Sequence, residues 1–192
     1  EYFTNIASRN KDGSRFSQII IDDTRAGAYS GVELAENSMV ADLKVSYTHS
    51  YLQGNGVIRA KGVKAVLKNV DLEHYFHDGY TSINNSAVVV ASHDGELVME
   101  GQINLKSRSF AIYSEYGSKI KSSADIYVRA STERGYAVYI NDHGSFEASG
   151  SLYSENSGGF LLRDNSSFVN SGQFDYITNS AACFTGVSDY DQ

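Results

Sequence analysis

The chain has 192 residues and, with 16 Lys+Arg against 23 Asp+Glu, a formal charge of −7. That length suits one domain, and 41% hydrophobic residues suffice for a packed core; the acidic balance argues against nucleic acid or an anionic membrane surface, which both need a basic face. A single cysteine, Cys183, excludes an internal disulfide and a cysteine-based zinc cage, and no apolar run is long enough to span a bilayer.

Residues 1–18 read as an irregular cap or partial rung, followed by an apolar strand at Ile19-Ile20-Ile21. The start at Glu1, with no charged-then-apolar leader, leads us to expect a processed or excised piece. Helix is expected to be minor, confined at most to Val32-Glu33-Leu34-Ala35, because apolar positions never keep helical spacing over three turns. Segments 31–45 and 56–72 carry three and four short apolar pieces respectively, and each reads as one rung. Glu73–Asn85 is too polar and aromatic for a rung and is expected to protrude as a loop.

From residue 86 the pattern becomes regular. Ala87-Val88, Ala111-Ile112, Ala137-Val138, Phe160-Leu161 and Ala181-Ala182 each open a unit of 21–26 residues. A turn and a re-entering apolar residue follow, at Leu97, Ile120, Phe146 and Phe168, and then a third element at Ile103, Ile126, Leu152 and Phe174. Ser, Asn and Gly together make 57 of the 192 residues, a fraction typical of linkers, yet they are interleaved with β-forming triplets and so belong to turns and outward positions.

A period of three short strands excludes helical repeats, leucine-rich repeats and four-stranded propeller blades, and leaves a parallel β-helix. The lack of Pro agrees, since each strand hydrogen-bonds to rungs on both sides and Pro cannot donate. The expected fold is all-β: a right-handed three-stranded parallel β-helix over residues 1–192. Division by roughly 24 residues per rung predicts seven or eight rungs, a rod on the order of 35–40 Å long at ~4.8 Å per rung. An uncapped end would be an open β edge, so a longer solenoid is expected around this segment.

The units AVVVASHDGELVMEGQI, FAIYSEYGSKIKSSADI, YAVYINDHGSFEASGSL and FLLRDNSSFVNSGQF resemble the passenger repeats of bacterial autotransporters, of the pertactin-like and self-associating kind. The resemblance covers about half the chain. It implies a secreted or surface-displayed β-helix, attached to the outer membrane through a barrel outside this segment, and used as an adhesin, in self-association or as a scaffold.

Two groups of residues are candidates for ligand binding. Arg59, Lys61, Lys64 and Lys68 form a basic stretch with no acid among residues 56–70, suited to a sulfated or acidic glycan; the plainer alternative is a solvated rung. His74, Tyr75, His77 and Asp78 form a polar-aromatic cluster, but His-x-x-His supplies only two metal ligands, so no metal site is assigned. Asp22-Asp23 is the nearest thing to a carboxylate pair, and neighbouring strand residues face opposite ways. Tyr47, Tyr51, Tyr75, Phe76 and Tyr80 crowd the front half, where exposed rings would stack on sugars or a protein. Asp142-His143-Gly144 stands without the partners a polygalacturonase would need, Cys183 reads as buried, and no cofactor fingerprint is present.

The expected function is a non-enzymatic adhesin segment whose repeated polar face mediates self-association of side-by-side rods, or binds a host protein or glycan. No nucleic acid, membrane insertion or cofactor is expected. The alternatives are a β-helical carbohydrate-active enzyme or phage tailspike fragment, and a structural spacer rod.

Overall fold

The computed structural model describes residues 5–7, 17–23, 30–49, 56–76, 86–107, 109–130, 136–155, 159–177 and 184–186. These form parallel strands only, wound as a β-solenoid of about five turns. The opening strands are β1 (Asn5–Ala7) and β2 (Ser17–Asp23), both paired with β4 (Ser38–His49). One coil consists of β3 (Val32–Glu33) and β4, the next of β5 (Gly56–Lys61) and β6 (Lys64–Phe76), and the third of β7 (Ala87–Ser92) and β8 (Glu96–Ser107). The coils then divide into three strands: β9 (Phe110–Ser114), β10 (Lys119–Ser122) and β11 (Asp125–Ala130), then β12 (Val138–Ile140), β13 (Ser145–Ala148) and β14 (Leu152–Glu155). They end with β15 (Phe160–Leu162), β16 (Ser167–Asn170), β17 (Phe174–Ile177) and β18 (Phe184–Gly186).

The first sheet stacks β3, β5, β7, β9, β12, β15 and β18 in chain order. The long strands β4, β6 and β8 each serve two further faces. Their first halves continue into β10, β13 and β16 as a second face, and their second halves into β11, β14 and β17 as a third. The fold class read from the sequence is therefore the observed one, with somewhat fewer turns than seven or eight. Circuits vary in length: Ile58 pairs with Val89, 31 residues on, against 23 from Val89 to Ile112.

Each bend has a local cause. Between the second and third faces, Asp42, Asn69 and Gly101 take positive φ (53°, 51° and 70°) and turn the long strands without interrupting pairing. Asn and Asp tolerate this left-handed conformation because their short polar side chains find local partners. Between the first and second faces, the pairs His93-Asp94, Tyr116-Gly117, Asp142-His143 and Asp164-Asn165 are all left-handed, as in type I′ turns. These turns stack by main-chain bonds, Asp94 N–H to Tyr116 O (2.9 Å), Gly117 N–H to Asp142 O (3.0 Å) and His143 N–H to Asp164 O (2.9 Å). A Cβ on Gly144, which closes one turn, would stand 2.5 Å from the Ser114 carbonyl oxygen.

The interior is built of ladders. Leu97, Ile120, Phe146 and Phe168 share one column, and Ile103, Ile126, Leu152 and Phe174 another, both in the register the sequence spacing predicts. The first-sheet column is Val89, Ile112, Val138 and Phe160, so the expected Val88 and Leu161 are each one residue out. Strand β7 is buried at all six residues because the first sheet is covered on both faces. Val90, Phe110, Tyr113, Tyr139 and Leu161 form a second apolar cluster there, leaving no polar alternation to fix the register. Val32-Glu33 is a strand rather than a helical turn, since Val32 pairs with Ile58.

Candidate functional site

The outer surface of the third sheet carries two in-register columns. One runs Lys44, Asp71, Asn104, Tyr127, Tyr153 and Asp175; the other runs Ser46, Glu73, Lys106, Arg129 and Glu155. Strand alternation places every second residue outward, so positions two apart on one strand share this surface. The inward neighbours Leu72, Leu105 and Val128 are buried and anchor the columns. Apart from Ser46 and Asp175 at their ends, the columns line a groove of about 380 Å³.

Aromatic, amide and charged side chains share this groove. The Tyr127 and Tyr153 rings lie 5.9 Å apart, and Tyr127 is 44% exposed. Lys44 Nζ reaches Glu73 Oε2 at 3.0 Å, and Ser46 Oγ donates to the same oxygen at 2.9 Å. Burial raises the Glu73 pKa, but the Lys44 and Ser46 hydrogen bonds and the charges of Lys44 and Lys106 outweigh it and leave the carboxyl below its usual range. Lys106 Nζ donates to the Tyr75 hydroxyl at 3.0 Å, which holds its pKa above the usual value. Arg129 Nε donates to Glu155 Oε2 at 3.0 Å, and the Asn104 amide to Asp71 Oδ1.

The residues singled out from sequence are dispersed by the fold. Arg59 lies on the first sheet, where Nε and Nη2 each donate to Ser92 Oγ at 3.3 Å and Nη1 lies 3.9 Å from Glu33. Lys61 ends β5, while Lys64 and Lys68 lie on the second face beside Glu96 (3.6 Å) and Glu100 (3.5 Å). The basic stretch is thus spread over two faces, and adjoining rungs supply the acids that residues 56–70 lack. Glu73, His74, Tyr75 and Phe76 continue β6 rather than beginning a loop. His74 is fully buried, its ring 6.4 Å from Tyr47 and 4.8 Å from Phe76, so it is not presented to a ligand. Tyr75 supports Lys106 in the groove. His77, Asp78, Tyr51, Tyr80 and Cys183 lie outside the described residues. Asp22 and Asp23 are consecutive in β2, opposite Thr48 and His49. Among the described residues, no three His, Cys, Asp or Glu side chains assemble to hold a metal ion.

The groove residues escaped the sequence reading although their signal was present. They lie one and three positions after Ile103, Ile126 and Leu152, the column whose register was already legible.

Comparison of the chain with protein-family models, with characterised proteins and with solved structures gives no match.

Proposed function

We propose that this chain is a non-enzymatic adhesive segment, a β-solenoid that holds a partner along its third sheet. The observation that carries this reading is the pair of outward columns, in which aromatic, amide and charged groups repeat at ~4.8 Å from rung to rung. Weak contacts summed along such a column give avidity without a deep pocket. The autotransporter-like repeats support display at a bacterial surface, and either a host glycan or a second rod fits the mechanism.

A polysaccharide-cleaving reading is less well supported by this surface. Glycoside hydrolysis needs one carboxyl kept protonated beside another kept ionised. In the groove Glu73 is held toward the ionised form, which suits the second of these roles and not the first.

The test is to coat microspheres with the protein and measure clustering, and attachment to glycan-bearing surfaces, beside release of new reducing ends from polysaccharides. Clustering or attachment without release is expected. Release that disappears in Asp71→Asn or Glu73→Gln would replace this reading with an enzymatic one, and inert microspheres would replace it with a spacer.

A further inference from the structure

Along the second column the order of charge is Glu73 (−), Lys106 (+), Arg129 (+), Glu155 (−). Lys106 and Arg129 are paired across β8 and β11, so two cations stand directly opposite one another, an arrangement that costs stability in a sheet. The flanking acids do not bridge them. Glu73 turns toward Lys44, and Glu155 meets Arg129 from the far side. Both cations are exposed, the Arg129 side chain by 72%, in a chain whose net charge is −7. Beside them in the first column stand Asn104, two residues before Lys106, and the exposed ring of Tyr127, two residues before Arg129.

We infer that Asn104, Lys106, Tyr127 and Arg129 form a subsite for one acidic sugar unit of an anionic glycan. The ring would lie on Tyr127, its carboxylate or sulfate between Lys106 and Arg129, and a hydroxyl on the Asn104 amide. An anion there relieves the like-charge contact, and the guanidinium offers a planar donor set matched to a carboxylate or sulfate. The Tyr75 hydroxyl acts as a positioning group by holding the Lys106 ammonium in place. This inference rests on the adhesive reading above and names its ligand class.

Binding of the protein to hyaluronan oligosaccharides (carboxylate only), dextran sulfate (sulfate only) and neutral dextran tests it. At least one anionic chain is expected to bind and neutral dextran not, with affinity falling as salt rises. Lys106→Gln, Arg129→Gln and Tyr127→Ala should each weaken binding by about tenfold, whereas Arg129→Lys, which keeps the charge but loses the planar donor set, should restore only part of it and Lys64→Gln or Lys68→Gln should leave it unchanged. Thermal unfolding separates loss of the site from loss of the fold, and Lys106→Gln should unfold no earlier than the parent. Equal binding of neutral dextran, or equal losses in the Lys64 and Lys68 variants, would overturn the inference. So would absence of binding to both anionic chains; microspheres that still cluster would then leave the adhesive reading standing, and inert ones would remove both.

Discussion

Asn69 stands one rung from Asp42 at the bend between the second and third faces, and its amide donates to Asp42 Oδ1 at 3.1 Å. Its own Oδ1 accepts from the Gln102 main-chain N–H, also at 3.1 Å, so one side chain ties three successive coils. Asn69 holds a φ of 51°, which few residues other than Asn, Asp and Gly adopt readily. Asn69→Ala is therefore expected to cost about 2–4 kcal/mol, from left-handed strain and two lost hydrogen bonds. Asn69→Gly keeps the conformation and should cost less. Denaturant unfolding of both checks the order; equal losses would show that the backbone conformation contributes nothing.

The same corner makes Gly101→Ala severe. The added Cβ would meet the Asn69 side-chain oxygen at a position whose φ is 70°. A loss larger than that of Asn69→Gly is expected, and Gly101→Ala combined with Asn69→Gly should recover part of it, since the double variant removes the obstructing atom. Thermal unfolding of the three variants reads the coupling.

What was legible in the sequence follows from where one face of a strand is wet. At Ile120 and Phe146 the flanking residues are polar and exposed or half-exposed, so alternation fixed both strand and register. At Val88-Val89-Val90 every residue is buried, and a one-residue slip left the pattern looking the same. The groove was harder still, because Lys106 and Arg129 are 23 residues apart and meet only through rung stacking. Conversely, Arg59, Lys64 and Lys68 are close in sequence, and the corner between β5 and β6 sends them to different faces.

On the outer side of the first sheet, Tyr113 donates its hydroxyl to Glu115 Oε2 at 2.6 Å, and Glu115 is buried. Burial, then the bond to Glu115 and its charge, push the phenol far above its usual range, so the proton stays on Tyr113. Tyr113→Phe would leave a buried carboxyl group without this donor and is expected to cost about 1–3 kcal/mol. Glu115→Gln retains an acceptor for the same hydroxyl and should cost less. Denaturant titrations at neutral pH decide between them.

The core ladder predicts a graded response at Phe146, which is fully buried and lies 5.5 Å from the Phe168 ring. Phe146→Ala is expected to lose about 3–5 kcal/mol through transfer and cavity terms, and Phe146→Leu clearly less. Phe168 is only half-buried, so Phe168→Ala should cost less than Phe146→Ala. The midpoint of denaturant unfolding checks the ranking.

Glu73 sets an acid dependence whose sign follows from its shift. Its carboxyl in the folded chain lies below the ordinary 4.5, held there by Lys44 and Ser46 against the opposing effect of burial. A depressed folded pKa means that the unfolded chain takes up the proton first. The contribution of Glu73 is therefore fully present above the unfolded value and is lost as pH falls through the folded one. Thermal unfolding between pH 7 and pH 3 should show a fall in stability on the acid side that is shallower in Glu73→Gln. Lys44→Gln should flatten the same limb, because it removes the principal partner, while Lys68→Gln, on the other face, should not. If Glu73→Gln and the parent chain lose stability in parallel from pH 5 to pH 3, the Lys44–Glu73 pair is screened by solvent and does not order the groove.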